Sequence, residues 1–156
     1  MPKKPKADTS WITDDLLDAL AFRESSMNPN AVNENSFAAG MYQWMPQFWA
    51  DGADIGFGVK SGAWDPLDAE ESRMRTKQYL EGMQKYYPDW DPTEILMAYN
   101  WGPGKVKKFR SGSLDMSKED PAKVKEAMDY PKLILEHLKD KPWMADVNED
   151  PFASTI

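Results

Sequence analysis

Glu24, in the run Arg23-Glu24-Ser25-Ser26, is the side chain of this 156-residue chain best placed to do acid–base chemistry. Leu17, Leu20 and Ala21 stand at i−7, i−4 and i−3 from it, the spacing of one helical face. Thr13 suits the N-cap of that helix, and Asp14 and Asp15 suit the positive end of its dipole. The carboxylate therefore falls where the helix should keep its apolar stripe, which is costly unless the group is protonated, paired or hydrogen-bonded. Burial raises a carboxyl pKa, by up to roughly 3–5 units when complete. A proton held near neutral pH is what a general acid needs. The helix alone leaves a second reading open, in which Glu24 lies at a frayed end and turns to water.

Three further segments combine polar and aromatic groups in suggestive order. Met27-Asn28-Pro29-Asn30-Ala31-Val32-Asn33 is a turn-rich loop directly after the Glu. Gly40-Met41-Tyr42-Gln43-Trp44-Met45-Pro46 follows, and later Ala98-Tyr99-Asn100-Trp101-Gly102-Pro103-Gly104. Taken singly, each has an ordinary explanation: a turn, a packed aromatic helix and a helix C-cap.

The elements that must carry these groups are mostly helices. Asp-Pro occurs four times, at Asp65-Pro66, Asp91-Pro92, Asp120-Pro121 and Asp150-Pro151, and Asp at N-cap with Pro at N1 is a helix start signal. After Asp65, with Asp65 read as the cap, Thr76, Leu80, Met83 and Tyr87 share one face up to Tyr87. Asp91 opens the next helix with Glu94 at the capping-box position, and Gly102-Pro103-Gly104 stops it. Tyr99, at i+4 from Ile95, faces inward along that helix. Val124, Ala127 and Met128 predict one helix and Leu133 to Leu138 another, with Pro131 either starting or kinking the second. Ile55 to Val59 reads better as loop than strand, and Lys107 to Asp120 reads as a linker. The expectation is a mostly α domain over residues 13–139, flanked by a basic N-terminal tail (1–12) and a polar C-terminal tail (140–156).

Composition narrows the function. The net charge of −7 opposes nucleic-acid binding, which needs a basic face. Seven Trp and six Tyr are many for so short a chain, and such aromatics serve either as core or as stacking faces for sugars. The absence of Cys excludes disulfides, thiolate metal sites and thiol nucleophiles. The only His, His137, sits in Leu135-Glu136-His137-Leu138 and reads as a solvated or core residue. No apolar run follows the basic residues at the start of the chain, so no secretory signal is read there, and nothing approaches the ~18 apolar residues of an integral membrane segment.

In this order and spacing the segments resemble the catalytic domain of soluble lytic transglycosylases, a lysozyme-like helical fold with a substrate cleft, related to goose-type lysozyme. That family reads Glu-Ser, Asn-Pro-x-Ala-x-Ser, Gly-Leu-Met-Gln-x-Met-Pro, an Asp-Pro that opens a helix, Tyr-Leu, and Ala-Tyr-Asn-Ala-Gly. Here Glu24-Ser25, Asn28-Pro29-Asn30-Ala31, Gly40 with Gln43 and Met45-Pro46, Asp65-Pro66, Tyr79-Leu80 and Ala98-Tyr99-Asn100 match in register. The family's closing Tyr-Val helix corresponds to Tyr130 onward, over a weaker stretch of likeness.

The resemblance implies a peptidoglycan-cleaving enzyme that needs no cofactor and no metal. Glu24 would be its one catalytic carboxyl, protonating the oxygen of the β-1,4 bond between N-acetylmuramic acid and N-acetylglucosamine. It would then take a proton from the muramyl 6-hydroxyl as that oxygen closes a 1,6-anhydro ring. Tyr99 would hydrogen-bond and orient Glu24, Ser25 would support the loop or substrate, and Gln43, Met45 and Asn100 would line the sugar cleft. The chain departs from the pattern at Met41-Tyr42 and Asn33, and at Trp101, which would narrow the cleft or add a stacking face.

Two other classes compete. A hydrolytic goose-type lysozyme would need a second group to hold water, with Asp51, Asp54 and Asp65 as candidates. A non-catalytic glycan-binding or virion structural module would keep the fold without the reaction. The expected partners are peptidoglycan glycan strands and, in a phage setting, other virion proteins; no nucleic acid is expected. A resemblance found almost at the first residue, with no export signal read, fits the domain that short-tailed phages carry on internal proteins ejected into the bacterial envelope. The expected place of action is then the periplasm and cell wall.

Overall fold

The computed structural model describes residues 7–144; the start of the expected basic tail and residues 145–156 of the expected polar tail lie outside the described residues. Among the described residues five α-helices make the fold: α1 (Asp14–Ser25), α2 (Ala69–Tyr86), α3 (Pro92–Trp101), α4 (Pro103–Ser111) and α5 (Pro121–Asp140). Among the described residues the only β pairing is a pair of isolated bridges, Val32 with Ala39 and Ala39 with Trp44. Ile55 to Val59 is indeed loop.

Local chemistry sets most helix starts. Thr13 caps α1 by accepting from the Leu16 N–H at 3.2 Å. At α3, Asp91 accepts from the Glu94 N–H while the Glu94 carboxylate accepts from the Asp91 N–H, a complete capping box. Asp120 caps α5. The expectation for Asp65 needs correction. Its carboxylate accepts from Leu67 N–H in a turn, and Asp68 is the cap of α2, accepting from Glu71 N–H. Both aspartates can hold a free N–H, and the acidic pair Glu70 and Glu71 favours the start that follows Asp68.

Two other segments differ from expectation. Residues 107–111 of the expected linker belong to α4, because Pro103 takes the N1 position of a new helix after Gly102 instead of only ending the old one. Val124 to Leu138 lie on one continuous helix, with Pro131 inside it and buried. Its missing N–H costs one backbone bond, and burial beside Ala127, Tyr130 and Ile134 offsets that loss.

Helix α3 packs against α2, α4 and α5, and α1 against α2 and α5. The core they share includes Leu16, Leu17, Leu20, Leu80, Met83, Ile95, Val106 and Ile134. Ile12, counted as tail from the sequence, joins this core, and Trp11 donates its indole N–H to Gln84 Oε1 at 2.9 Å. Arg73 of α2 pairs with Asp18 of α1 at 2.8 Å. Two glycines permit close approach. A Cβ on Gly82 would lie 1.9 Å from the Phe57 carbonyl oxygen, so α2 needs Gly there to take the 50–60 loop. Gly40, at φ +84°, meets the Pro66 carbonyl oxygen in the same way and seats the 40–46 segment.

Candidate active site

Glu24 is the penultimate residue of α1, on the turn where the helix gives way to the 26–40 loop. Ser26 ends the helix in the left-handed region at φ 54°, its N–H bonding back to the last turn. Ser25 then ties two segments together: its hydroxyl donates to the Met41 carbonyl at 2.7 Å and accepts from the Asn28 N–H at 3.2 Å. The side chain of Ser25 therefore holds loop to loop.

The Glu24 carboxyl opens on a cleft of about 370 Å³. Its floor and walls come from α1, the 33–48 segment, α2, α3 and α5, including Tyr42, Gln43, Met45, Phe48, Tyr79, Tyr99, Asn100 and Lys123. Glu24, Gln43, Met45, Tyr99 and Asn100 are thus brought to one place; Ser25 lies behind them. Gln43 and Met45 are separated from Glu24 by a loop, and Tyr99 and Asn100 by some 75 residues of chain.

The hydrogen bond to Glu24 does not come from Tyr99. The Tyr130 hydroxyl of α5 donates to Glu24 Oε1 at 2.8 Å, whereas the Tyr99 hydroxyl donates to the Tyr42 carbonyl at 3.1 Å. The two phenol rings lie 6.3 Å apart, Tyr130 buried and Tyr99 half-buried beside the carboxyl. Sequence periodicity turns both tyrosines inward, but which one reaches Glu24 depends on how α5 packs across α1. The signal for Tyr130 was its place with Ala127 and Ile134 on one stripe of α5.

Electrostatics follow from burial. Loss of water raises the Glu24 pKa above the usual carboxylate value; the Tyr130 hydrogen bond and the Arg23 charge oppose that rise without cancelling it. Burial also pushes the Tyr99 and Tyr130 hydroxyls well above their ordinary range, and the nearby Glu24 charge adds to it, so both remain neutral donors.

Gln43 adopts a left-handed backbone, φ 53°, and its amide nitrogen donates to the Ala31 and Gly40 carbonyls at 3.1 and 2.8 Å. That closes the loop against itself at the wall of the cleft that Gln43 lines. Asn100 Oδ1 lies 3.4 Å from Lys123 Nζ. Arg23, Lys123 and Glu126 also line the cleft, and sequence reading passed over all three because charges on exposed helix ends are common. Trp101 does not reach the cleft. It is buried between α3 and α4, with its ring edge-on to Phe109 at 6.0 Å. His137 packs edge-on to Phe22 at 5.0 Å, also outside the cleft.

The candidates for a second, water-holding acid lie elsewhere. Asp51 and Asp54 are exposed and do not line the cleft, and Asp54 accepts from the Gly56 N–H. Asp65 serves the turn before α2. Glu126 is the other carboxylate of the cleft, with its oxygens facing Arg23 and Lys123.

The chain matches none of the curated proteins and none of the solved structures. Residues 3–120 match the family model described as "Transglycosylase SLT domain".

Proposed function

The chain belongs to the transglycosylase SLT domain family and is a peptidoglycan lytic transglycosylase, a lyase acting on glycans; from that premise we propose that Glu24 is its single acid and base. The observation that carries this reading is a carboxyl group buried at the cleft, its pKa raised by burial and its Oε1 fixed by Tyr130 at 2.8 Å. With Oε1 accepting from a hydroxyl, Oε2 is the oxygen that delivers the proton.

The substrate bond is the β-1,4 link from C1 of N-acetylmuramic acid to O4 of N-acetylglucosamine. Glu24 gives its proton to O4 as the C1–O4 bond breaks, and the N-acetylglucosamine leaves as an alcohol. The muramyl O6 attacks C1, forming the 1,6-anhydro ring, and its proton passes to the Glu24 carboxylate. The residue ends as it began, and no water is consumed. One carboxyl therefore suffices where hydrolytic glycosidases normally use two. Gln43, Met45 and Asn100 bind sugar in this scheme. Ser25 supports it by holding the loops, and Tyr99 by filling the wall beside Tyr130.

The hydrolytic alternative needs a free carboxylate for water. Glu126 is ion-paired and Asp51 and Asp54 lie outside the cleft, which favours the anhydro route. Mass spectrometry of muropeptides released from purified sacculi tests this directly. We expect 1,6-anhydromuramyl ends, one water lighter than the hydrolytic product; a majority of reducing muramic acid ends would transfer the reading to the hydrolase. Release of no fragment, with binding to the sacculus intact, would favour the glycan-binding module.

The proposed setting is a phage particle that carries the protein into the bacterial cell wall to open a path for infection. A chain without Cys needs no particular redox compartment to fold, which suits assembly in a cytoplasm and work outside it. Proteomics of purified virions and of the host envelope tests it. Recovery solely from uninfected host envelope would overturn that setting without touching the chemistry.

A further inference from the structure

Two cations face the cleft of a chain whose formal net charge is −7. Arg23 comes from the last turn of α1 and Lys123 from the first turn of α5. Glu126 lies between them, its Oε1 3.6 Å from Arg23 Nη2 and its Oε2 2.6 Å from Lys123 Nζ. One carboxylate is thus shared between two cations.

Donors are in surplus. A guanidinium offers five N–H groups and an ammonium three. Among the described residues, Arg23 makes only the 3.6 Å approach to Glu126, longer than a hydrogen bond, and its Nε is buried without a partner. Lys123 adds to Glu126 only the 3.4 Å contact with Asn100 Oδ1. The two side chains stay partly open to solvent, at 32% and 41%. The Arg23 guanidinium is nevertheless steadied by the Tyr130 ring, 5.8 Å from its centroid. Helix stability does not account for Lys123: a cation in a first turn meets the positive end of the dipole, and that end strengthens the local positive field.

The substrate poses a matching problem. A peptidoglycan strand alternates two sugars that share a ring, an N-acetyl group and a 6-hydroxyl. They differ in the lactyl ether that muramic acid carries at O3. A cleft that must place the muramyl C1 beside Glu24 has to read that difference, and the lactyl arm brings a carboxyl function, bare or extended by a stem peptide that carries its own carboxylates.

We propose that Arg23 and Lys123 form a carboxylate subsite beside Glu24 that selects muramyl residues and sets the register of the strand. The proposal rests on Glu24 being the acid. Glu126 holds the two cations apart and ready, and the substrate carboxylate takes the donors it leaves free.

Binding calorimetry in a Glu24→Gln background, which blocks turnover, tests the proposal with three probes. Chitotetraose has the sugar backbone and no carboxylate; amidase-stripped strands carry free lactyl carboxylates; intact strands carry stem peptides. Adding Lys123→Gln should weaken at least one carboxylate-bearing probe by about five- to tenfold, the range for a partly exposed charged contact. Chitotetraose should stay within about twofold, and Lys123→Arg should restore the loss. The stripped or intact strand that suffers more identifies the source of the carboxylate. Equal weakening of all three probes, or of none, overturns the subsite and leaves Arg23, Glu126 and Lys123 as a link between α1 and α5. If Glu24→Gln alone still turns strands over, the assignment of the acid falls and this proposal falls with it.

Discussion

A carboxyl group that must give and take one proton in a single turnover works best with a pKa near the ambient pH. Burial moves Glu24 in that direction, and the same burial has a cost in stability. Between the ordinary carboxyl pKa and the raised folded value, the folded chain keeps a proton that the unfolded chain has lost. Stability therefore falls as pH rises through that window. Glu24→Gln removes this titration along with the transferable proton. Wall clearing should drop by at least ~10²-fold, while at pH 7 the variant should melt above the parent. The melting gap should close below about pH 4, where both states are protonated. Clearing within a few-fold of the parent would remove Glu24 from the reaction. Tyr130 and Tyr99 should then separate cleanly. The Tyr130 hydroxyl favours the ionised carboxylate, so Tyr130→Phe raises the Glu24 pKa further and moves the alkaline limb of kcat/KM to higher pH. Its loss should also slow turnover by roughly ten- to a hundredfold, the worth of a hydrogen bond to a charged group. Tyr99→Phe loses a bond to a backbone carbonyl, costing about 0.5–1.5 kcal/mol of stability, with the pH profile unmoved. A shifted limb in Tyr99→Phe and none in Tyr130→Phe would reverse the two roles.

Among the elements, the helix starts matter because each fixes a cleft residue. The Asp91 capping box sets the register of α3 and so of Tyr99 and Asn100; the Asp120 cap sets α5 and so Lys123 and Tyr130. Helix α2 distinguishes two aspartates that look alike in sequence. Asp68→Ala should cost about 1 kcal/mol by urea denaturation, as loss of a cap does. Asp65→Ala should cost less than half of that, since a single turn N–H near the surface can bond to water instead. Equal losses would mean that the turn at Asp65 is as necessary to α2 as its cap. Gly40 works at the same scale. The Pro66 carbonyl it admits anchors the segment that carries Gln43 and Met45, so the cleft wall depends on a residue with no side chain.

Considered whole, the molecule closes its cleft with a helix that follows the residues matching the family. The match ends at residue 120 and α5 begins at Pro121. Yet α5 packs on α1 and α3, buries Ala127, Tyr130 and Ile134, and brings Tyr130, Lys123 and Glu126 to Glu24. Burying one large apolar side chain stabilises by roughly 1.5–3 kcal/mol, and whole domains hold only about 5–15 kcal/mol. A chain ended at residue 120 should therefore show no cooperative thermal transition by circular dichroism. A sharp transition in that fragment would show that the first four helices fold alone and that α5 only covers them.

Two kinds of information separate here. Caps, turns and the inward stripe are short-range, so the Thr13, Asp91 and Asp120 starts, the mostly helical class and the inward course of Glu24 and Tyr99 were all legible along the chain. Order and spacing also pointed to the family, and the resemblance implied Gln43, Met45 and Asn100 as cleft residues. Periodicity tells which face of a helix turns inward and says nothing of which neighbour that face meets. The choice of Tyr130 over Tyr99 as partner of Glu24 spans 106 residues and was decided only by the packing of α5 on α1. The same packing converts Arg23, Lys123 and Glu126 from scattered surface charges into one side of the cleft, and turns Trp101 away from it into the α3–α4 contact.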